Sequence, residues 1–118
     1  MSRILVIDDE ENWLDLSREF LGEAGHDVVA ISDGLKAFEM LEAEPLDLVV
    51  LDIKMPLNGR SLLWYASRYR PDLPVVIHSA FASCRGDPDF EDADAFVVKS
   101  PDFQELLQTI DKIVETGA

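Results

Sequence analysis

The sequence predicts an α/β fold: a five-stranded parallel sheet with helices on both faces. Three observations carry this expectation. Five short apolar runs recur, at residues 4–7, 28–31, 48–51, 75–77 and 95–98. Several are continuous and β-branched, the pattern of strands covered on both sides. The stretches between them carry apolar residues at helical spacing, so strands alternate with helices and the connections are right-handed βαβ crossovers.

After the first strand, the spacing predicts a helix over residues 13–24. Its stripe is Trp13, Leu16, Phe20 and Ala24, and Gly25 is the natural stop. A second helix is expected over residues 35–43, with Leu35, Phe38 and Leu41 inward and Asp33 as cap. A third covers residues 60–69, carries Leu62, Leu63 and Ala66, and ends before Pro71. The last begins at Ser100-Pro101-Asp102, a cap followed by proline in the first turn. Its stripe is Phe103, Leu106, Leu107, Ile110, Ile113 and Val114. Residues 82–94 break the rhythm. Gly86 and Pro88 fall where a crossover helix belongs, and Phe90 is the one large apolar residue among them. A short or irregular fourth helix, or a mobile loop, is expected there.

The chain has 118 residues, which points to one domain over residues 1–118. A chain of this size buries roughly two thirds of its unfolded surface and needs no staple. Hydrophobic residues make up 47%, which argues against disorder. The formal charge is −14, from 24 acids against ten basic residues. That balance argues against nucleic-acid binding by this chain alone and against an anionic membrane surface. Cys84 is the sole cysteine and reads as an incidental thiol. Asp8-Asp9-Glu10-Glu11 follow four apolar residues, too early for a signal peptide, and no run is long enough for a membrane helix. The expected location is cytoplasmic.

In open parallel sheets, sites form at the carboxyl ends of the strands. Here those ends carry Asp8-Asp9, Asp52, Ser79 and Lys99. A flavodoxin-like strand order, 2-1-3-4-5, would gather acids, hydroxyl and amine at one edge. Two carboxylates about 4 Å apart repel by roughly 4 kcal/mol at an effective dielectric of about 20. Three together must hold a proton or bind a cation. An all-oxygen cluster favours Mg²⁺, which keeps waters and leaves room for a phosphate oxygen. A carboxylate beside it could attack phosphorus and form an acyl phosphate. Lys99 and the Ser79 hydroxyl would then meet other phosphate oxygens.

The chain resembles the receiver domain of two-component response regulators over essentially its whole length. The resemblance rests on residues 4–10 (apolar strand, then acidic pair), Val49-Val50-Leu51-Asp52-Ile53-Lys54-Met55-Pro56, Asn58-Gly59, residues 74–80 and Phe96-Val97-Val98-Lys99. It implies that Asp52 is the phospho-acceptor, Asp9 the direct Mg²⁺ ligand and Asp8 an acid acting mainly through water. The backbone carbonyl of Lys54 is a further implied metal ligand. Ser79 matches the switch hydroxyl, Lys99 the phosphate-pairing lysine, and Phe96 the switch aromatic. The implied partner is a sensor histidine kinase or histidine phosphotransfer protein. Output would pass to a downstream protein target or to an output domain not contained in these residues. The chain would be a phospho-acceptor switch, catalysing only its own phosphorylation and dephosphorylation, and not an enzyme in the ordinary sense.

Other readings compete. A pseudo-receiver would keep the fold and act as an interaction module without phosphorylation; Asp9, Asp52, Ser79 and Lys99 together argue against it. A phosphohydrolase with an aspartate nucleophile would carry an acid where Lys54 stands. A flavodoxin would carry a Ser/Thr-Gly phosphate loop where acids follow the first strand. Glu10 reads as solvated or as a minor modulator, His78 as a structural histidine and Trp13 as a packing residue, which the resemblance would place near the acids. Departures from the family pattern are Ser100 inserted between Lys99 and Pro101, Asn58-Gly59 in place of Asp-Gly, and the weak segment 82–94, which is expected to order on phosphorylation or partner binding.

Overall fold

A computed structural model of the chain describes residues 2–52, 59–80, 86 and 88–116. Five strands, β1 (Arg3–Ile7), β2 (Asp27–Ile31), β3 (Leu48–Leu51), β4 (Val75–Ser79) and β5 (Ala95–Val98), form one sheet. All pairings are parallel and the order is β2-β1-β3-β4-β5, as the sequence predicts. The three inner strands are buried almost throughout, while edge strands β2 and β5 are half-buried. This explains the continuous apolar runs of β1, β3 and β4: each residue meets a helix layer on one face or the other.

Alternation along the strands divides the core in two. Leu5, Ile7, Val49, Leu51, Val75 and Ile77 face α2 (Gly34–Ala43) and α3 (Gly59–Tyr69). Ile4, Val6, Leu48, Val50, Val76 and Val97 face α1 (Glu11–Glu23) and α4 (Gln104–Thr116). These four are the α-helices among the described residues.

Three helices differ from expectation in phase or start. In α1 the buried stripe is Leu14, Ser17 and Leu21, while Trp13, Leu16 and Phe20 flank it half-buried. Ala24 is the exposed cap residue rather than part of the stripe. Gly25 follows at φ +94°, a left-handed conformation that glycine adopts without cost, so the predicted stop holds. In α2, Asp33 caps as expected, its Oδ1 accepting from Leu35 N–H at 2.9 Å. Leu35, however, is 70% exposed. The buried stripe is Gly34, Ala37 and Leu41, which leaves Leu35 one residue out of phase with it.

The last helix starts at Gln104, not at Ser100. Ser100 Oγ accepts from Asp102 N–H at 3.2 Å, and Asp102 Oδ1 accepts from Gln104 N–H at 2.9 Å. Two successive side-chain turns satisfy the backbone locally and delay the helix. The α3 expectation holds, with Leu62, Leu63 and Ala66 buried. Between β4 and β5 the described residues form a single 3-10 turn, Pro88–Phe90, which buries Phe90 in the core. Residues 82–85 and 87, with Cys84 among them, lie outside the described residues, as do 53–58.

Candidate functional site

The ladder hydrogen bonds continue one residue past the strands and fix the site. Asp8 N–H donates to Ile31 O at 3.1 Å, and Asp52 N–H donates to Ile7 O at 2.9 Å. These bonds hold the two acids side by side at the ends of neighbouring strands. Lys99 N–H donates to Ser79 O at 2.7 Å, which keeps the exit of β5 against the end of β4. The lysine side chain then crosses the sheet edge to the acids. Its Nζ lies 2.6 Å from Asp8 Oδ2, 3.2 Å from Asp52 Oδ2 and 3.6 Å from Glu10 Oε1. The Lys99 side chain is 2% exposed, and those of Asp8 and Asp52 are 4% and 6% exposed.

One ammonium thus faces a cluster of acids in a dry setting, where paired charges interact far more strongly than in water. Burial pushes the Asp8 carboxyl up to about 6, against the Lys99 hydrogen bond that favours its ionised form. The negative charge of Asp52 adds to that rise. Burial alone would lower Lys99, but its bonds and charge pairing with Asp8 and Asp52 outweigh it, so its affinity for the proton rises. His78, buried in β4 beneath the site, is pushed down to about 4 by burial and by the nearby Lys99 charge, with Asp52 opposing.

The donor set suits a hard cation. Asp8, Asp9, Glu10 and Asp52 each offer a carboxylate oxygen, and these oxygens all lie within 4.8 Å of one another. Oxygen ligands alone, with two acids exposed to solvent and two buried, match the preference of Mg²⁺ for a few carboxylates plus retained water. The residues present therefore fit a divalent cation.

Glu10, read from the sequence as solvated or a minor modulator, is exposed and yet lies within reach of the site. Its N–H donates to Asp8 Oδ1 at 2.9 Å, a turn that brings the exposed Glu10 carboxylate back toward Lys99. An acid two residues after a strand-end aspartate was the available signal. Trp13 packs as expected and also lies near the site, as the family resemblance implies, with the Lys99 ammonium 5.2 Å from its ring. Ser79 is fully buried at the end of β4. Phe96 is half-buried in β5, lining a hollow of about 240 Å³ with Pro88, Phe90 and Ala93. Lys54 and Asn58 lie outside the described residues.

The model of the response regulator receiver domain family matches residues 4–111. The chain belongs to that family. Its sequence is 32% identical to the response regulator receiver protein CpdR of Brucella abortus, over 97% of this chain and 98% of CpdR. It is 44% identical to the Bacillus subtilis regulatory protein PhoP over 66% of this chain, but spans 33% of PhoP. Among solved structures, response regulator protein TrrA of Thermotoga maritima in complex with Mg²⁺-BeF is similar at a TM-score of 0.91 and 34% identity, covering 96% of this chain and 99% of TrrA. TrrA in complex with histidine kinase ThkA is similar at a TM-score of 0.89. Receivers are phospho-acceptor switches rather than classical enzymes, and their fold is the one described above. Among the described residues of this receiver, no helix is long and apolar enough to cross a membrane.

Proposed function

We propose that this receiver accepts a phosphoryl group on Asp52 and changes shape in response. The observation that carries the proposal is the reach of Lys99 Nζ to both Asp8 and Asp52 beside a four-carboxylate oxygen cluster. Asp8, Asp9 and Asp52, with the backbone carbonyl of Lys54, would hold Mg²⁺. Bound there, the cation supplies neutralising charge for the incoming phosphoryl oxygens. The Mg²⁺-BeF complex of TrrA supports a pocket that takes a cation and an anion together.

In the proposed reaction an Asp52 carboxylate oxygen attacks the phosphorus of a phosphohistidine. The O–P bond forms, the N–P bond breaks, and the imidazole leaves. Lys99 moves from its carboxylate partners to a phosphoryl oxygen, and the Ser79 hydroxyl donates to another. Movement of the Ser79 hydroxyl toward the phosphoryl group lets Phe96 turn into the hollow beside it, which changes the surface around β5. The donor is a sensor histidine kinase or a histidine phosphotransfer protein, a role supported by the TrrA complex with histidine kinase ThkA. The reading covers residues 1–118 as one receiver domain, acting in the cytoplasm on a downstream protein target or output domain.

Incubation with acetyl phosphate and Mg²⁺ tests this directly. Intact mass should rise by one phosphoryl group, and Asp52→Asn or chelation should abolish the gain. A wild-type chain that stays unmodified, or one modified equally when Asp52 is replaced, would favour a phosphorylation-independent interaction module instead.

A further inference from the structure

Glu10 occupies a place where another residue type would serve the helix better. It is the N-cap of α1, with φ −94° and ψ 110°, and its side chain makes no capping hydrogen bond. Serine, threonine, aspartate and asparagine suit that position, because their short side chains reach the first N–H groups of the helix. The Glu10 backbone is nonetheless fixed on both sides. Its N–H donates to Asp8 Oδ1 at 2.9 Å, and its carbonyl accepts from Trp13 N–H at 3.1 Å and Leu14 N–H at 3.2 Å. From this anchored origin the carboxylate comes within 3.6 Å of Lys99 Nζ. Local preferences are broken most often where a residue serves a site instead of its own helix.

The three acids around Lys99 are not equivalent. Asp8 Oδ2 at 2.6 Å and Asp52 Oδ2 at 3.2 Å belong to buried carboxylates that the cation pocket also requires. The Glu10 side chain is 56% exposed and stands outside the ligand set proposed above. An ammonium and a divalent cation repel each other and compete for the same oxygens. Lys99 must therefore loosen from Asp8 and Asp52 when those carboxylates turn to a metal. Two further neighbours of its Nζ belong to the start of α1: the Trp13 ring at 5.2 Å and the Glu10 carboxylate. That end of a helix is positively polarised, so an ammonium rests there only with a carboxylate beside it. We propose that Glu10 is a positioning residue for Lys99. It holds the ammonium at the mouth of the pocket while Asp8 and Asp52 bind the cation, and it yields the ammonium to the incoming phosphoryl oxygen. The inference rests on the phospho-acceptor reading and adds a residue to it.

Glu10→Gln tests this, with Glu11→Gln as control for the lost charge; both positions are exposed. Calorimetry of Mg²⁺ binding comes first, since it needs no phosphoryl transfer. Glu10→Gln should weaken Mg²⁺ about fivefold, and Glu11→Gln clearly less. Lys99→Met has no ammonium to displace, so the effect of adding Glu10→Gln there should be smaller by about threefold or more. In protein labelled with carbon-13 lysine, the Lys99 side-chain signal should stay ordered in the Mg²⁺-loaded wild type and become mobile in Glu10→Gln. At saturating Mg²⁺, the maximal rate of acetyl phosphate labelling should fall in Glu10→Gln, with the half-saturating acetyl phosphate concentration unchanged. Three results would overturn the proposal. Faster labelling of Glu10→Gln would show an acid that merely repels the anionic donor. An equal loss of Mg²⁺ affinity in the Lys99→Met background would make Glu10 a metal ligand. A Lys99 signal indifferent to Glu10 would break the contact itself. A wild-type chain that shows the Mg²⁺ and lysine effects but takes no label would count against the phospho-acceptor reading and leave the hold of Glu10 on Lys99 standing.

Discussion

The two faces of the sheet are held in different ways. On one face, α1 and α4 are locked by an aromatic cluster: Phe20 stacks on Phe103 at 4.9 Å, Trp13 lies 5.6 Å from Phe103, and His78 meets Trp13 and Phe103 edge-on at 5.7 Å each. On the other face, α2 and α3 cover the β1 and β3 side. Toward β5 the described cover is a single 3-10 turn, and Phe96 stands half-buried over a hollow. Trp13 and His78 bring the braced face up to the Lys99 site, whereas Phe96 lies half-buried on the other. The wall that borders the charges is therefore the one braced by stacked rings.

Truncating the brace should have the largest effect. Phe103→Ala removes a ring shared by three partners and should cost about 3–5 kcal/mol in urea unfolding. Phe90→Ala should cost clearly less, because a one-turn segment can settle into the space. Equal losses would break the contrast between the faces. Next comes the site itself. Lys99→Met leaves Asp8 and Asp52 buried together without their cation, and should destabilise by about 3 kcal/mol in chelator at pH 7. Millimolar Mg²⁺ should restore part of that loss by binding the folded state. A variant as stable as wild type in chelator would show that the acids need no counter-charge.

The pH profile sharpens the contrast further. His78 has a folded value of about 4 against 6.5 in the unfolded chain. The unfolded state therefore binds more protons between those values, and stability is lost as pH falls from about 6.5 to about 4. The loss from this group is at most about 3 kcal/mol. Asp8 acts in the opposite sense. Its folded value of about 6 exceeds 3.8, so its contribution is present below 3.8 and is lost as pH rises toward 6. Urea midpoints should fall less steeply with acid in His78→Gln than in wild type; identical profiles would contradict a neutral buried histidine. The smallest effect is spectroscopic. In a Trp64→Phe background, which removes the exposed indole, Trp13 emission should change on Mg²⁺ titration, because the ring lies 5.2 Å from the Lys99 ammonium. Unchanged emission while calorimetry reports binding would separate Trp13 from the site.

Strand identity was legible because inner parallel strands must be apolar on both sides, and few other elements write that pattern; the strand order came from the flavodoxin-like arrangement and not from the runs themselves. The phase of α1 was not, because Trp13, Leu16, Phe20 and Ala24 also fall at helical spacing, beside the stripe that the sheet buries. In the structure the smaller Leu14, Ser17 and Leu21 face the sheet, and the rings close the seam to α4. Leu35 misled for a related reason: it stands three residues before Phe38, but the buried stripe begins one residue earlier, at Gly34. At the site, Asp8, Asp52 and Lys99 come together because strand ends are fixed by the ladder, and strands can be read. Glu10 depends on a turn made by the Asp8 carboxylate, which spacing alone does not show.

The central claim is that Asp8, Asp9 and Asp52 form one divalent-cation pocket. Titration with Mn²⁺ in the NMR tube tests it most directly, since the paramagnetic ion broadens the amides nearest to it. Broadening should begin at residues 8–10 and 52 with sub-stoichiometric ion, reverse with excess Mg²⁺, and vanish in Asp9→Asn/Asp52→Asn. Broadening spread evenly over the surface acids, with no focus at the strand ends, would contradict the account.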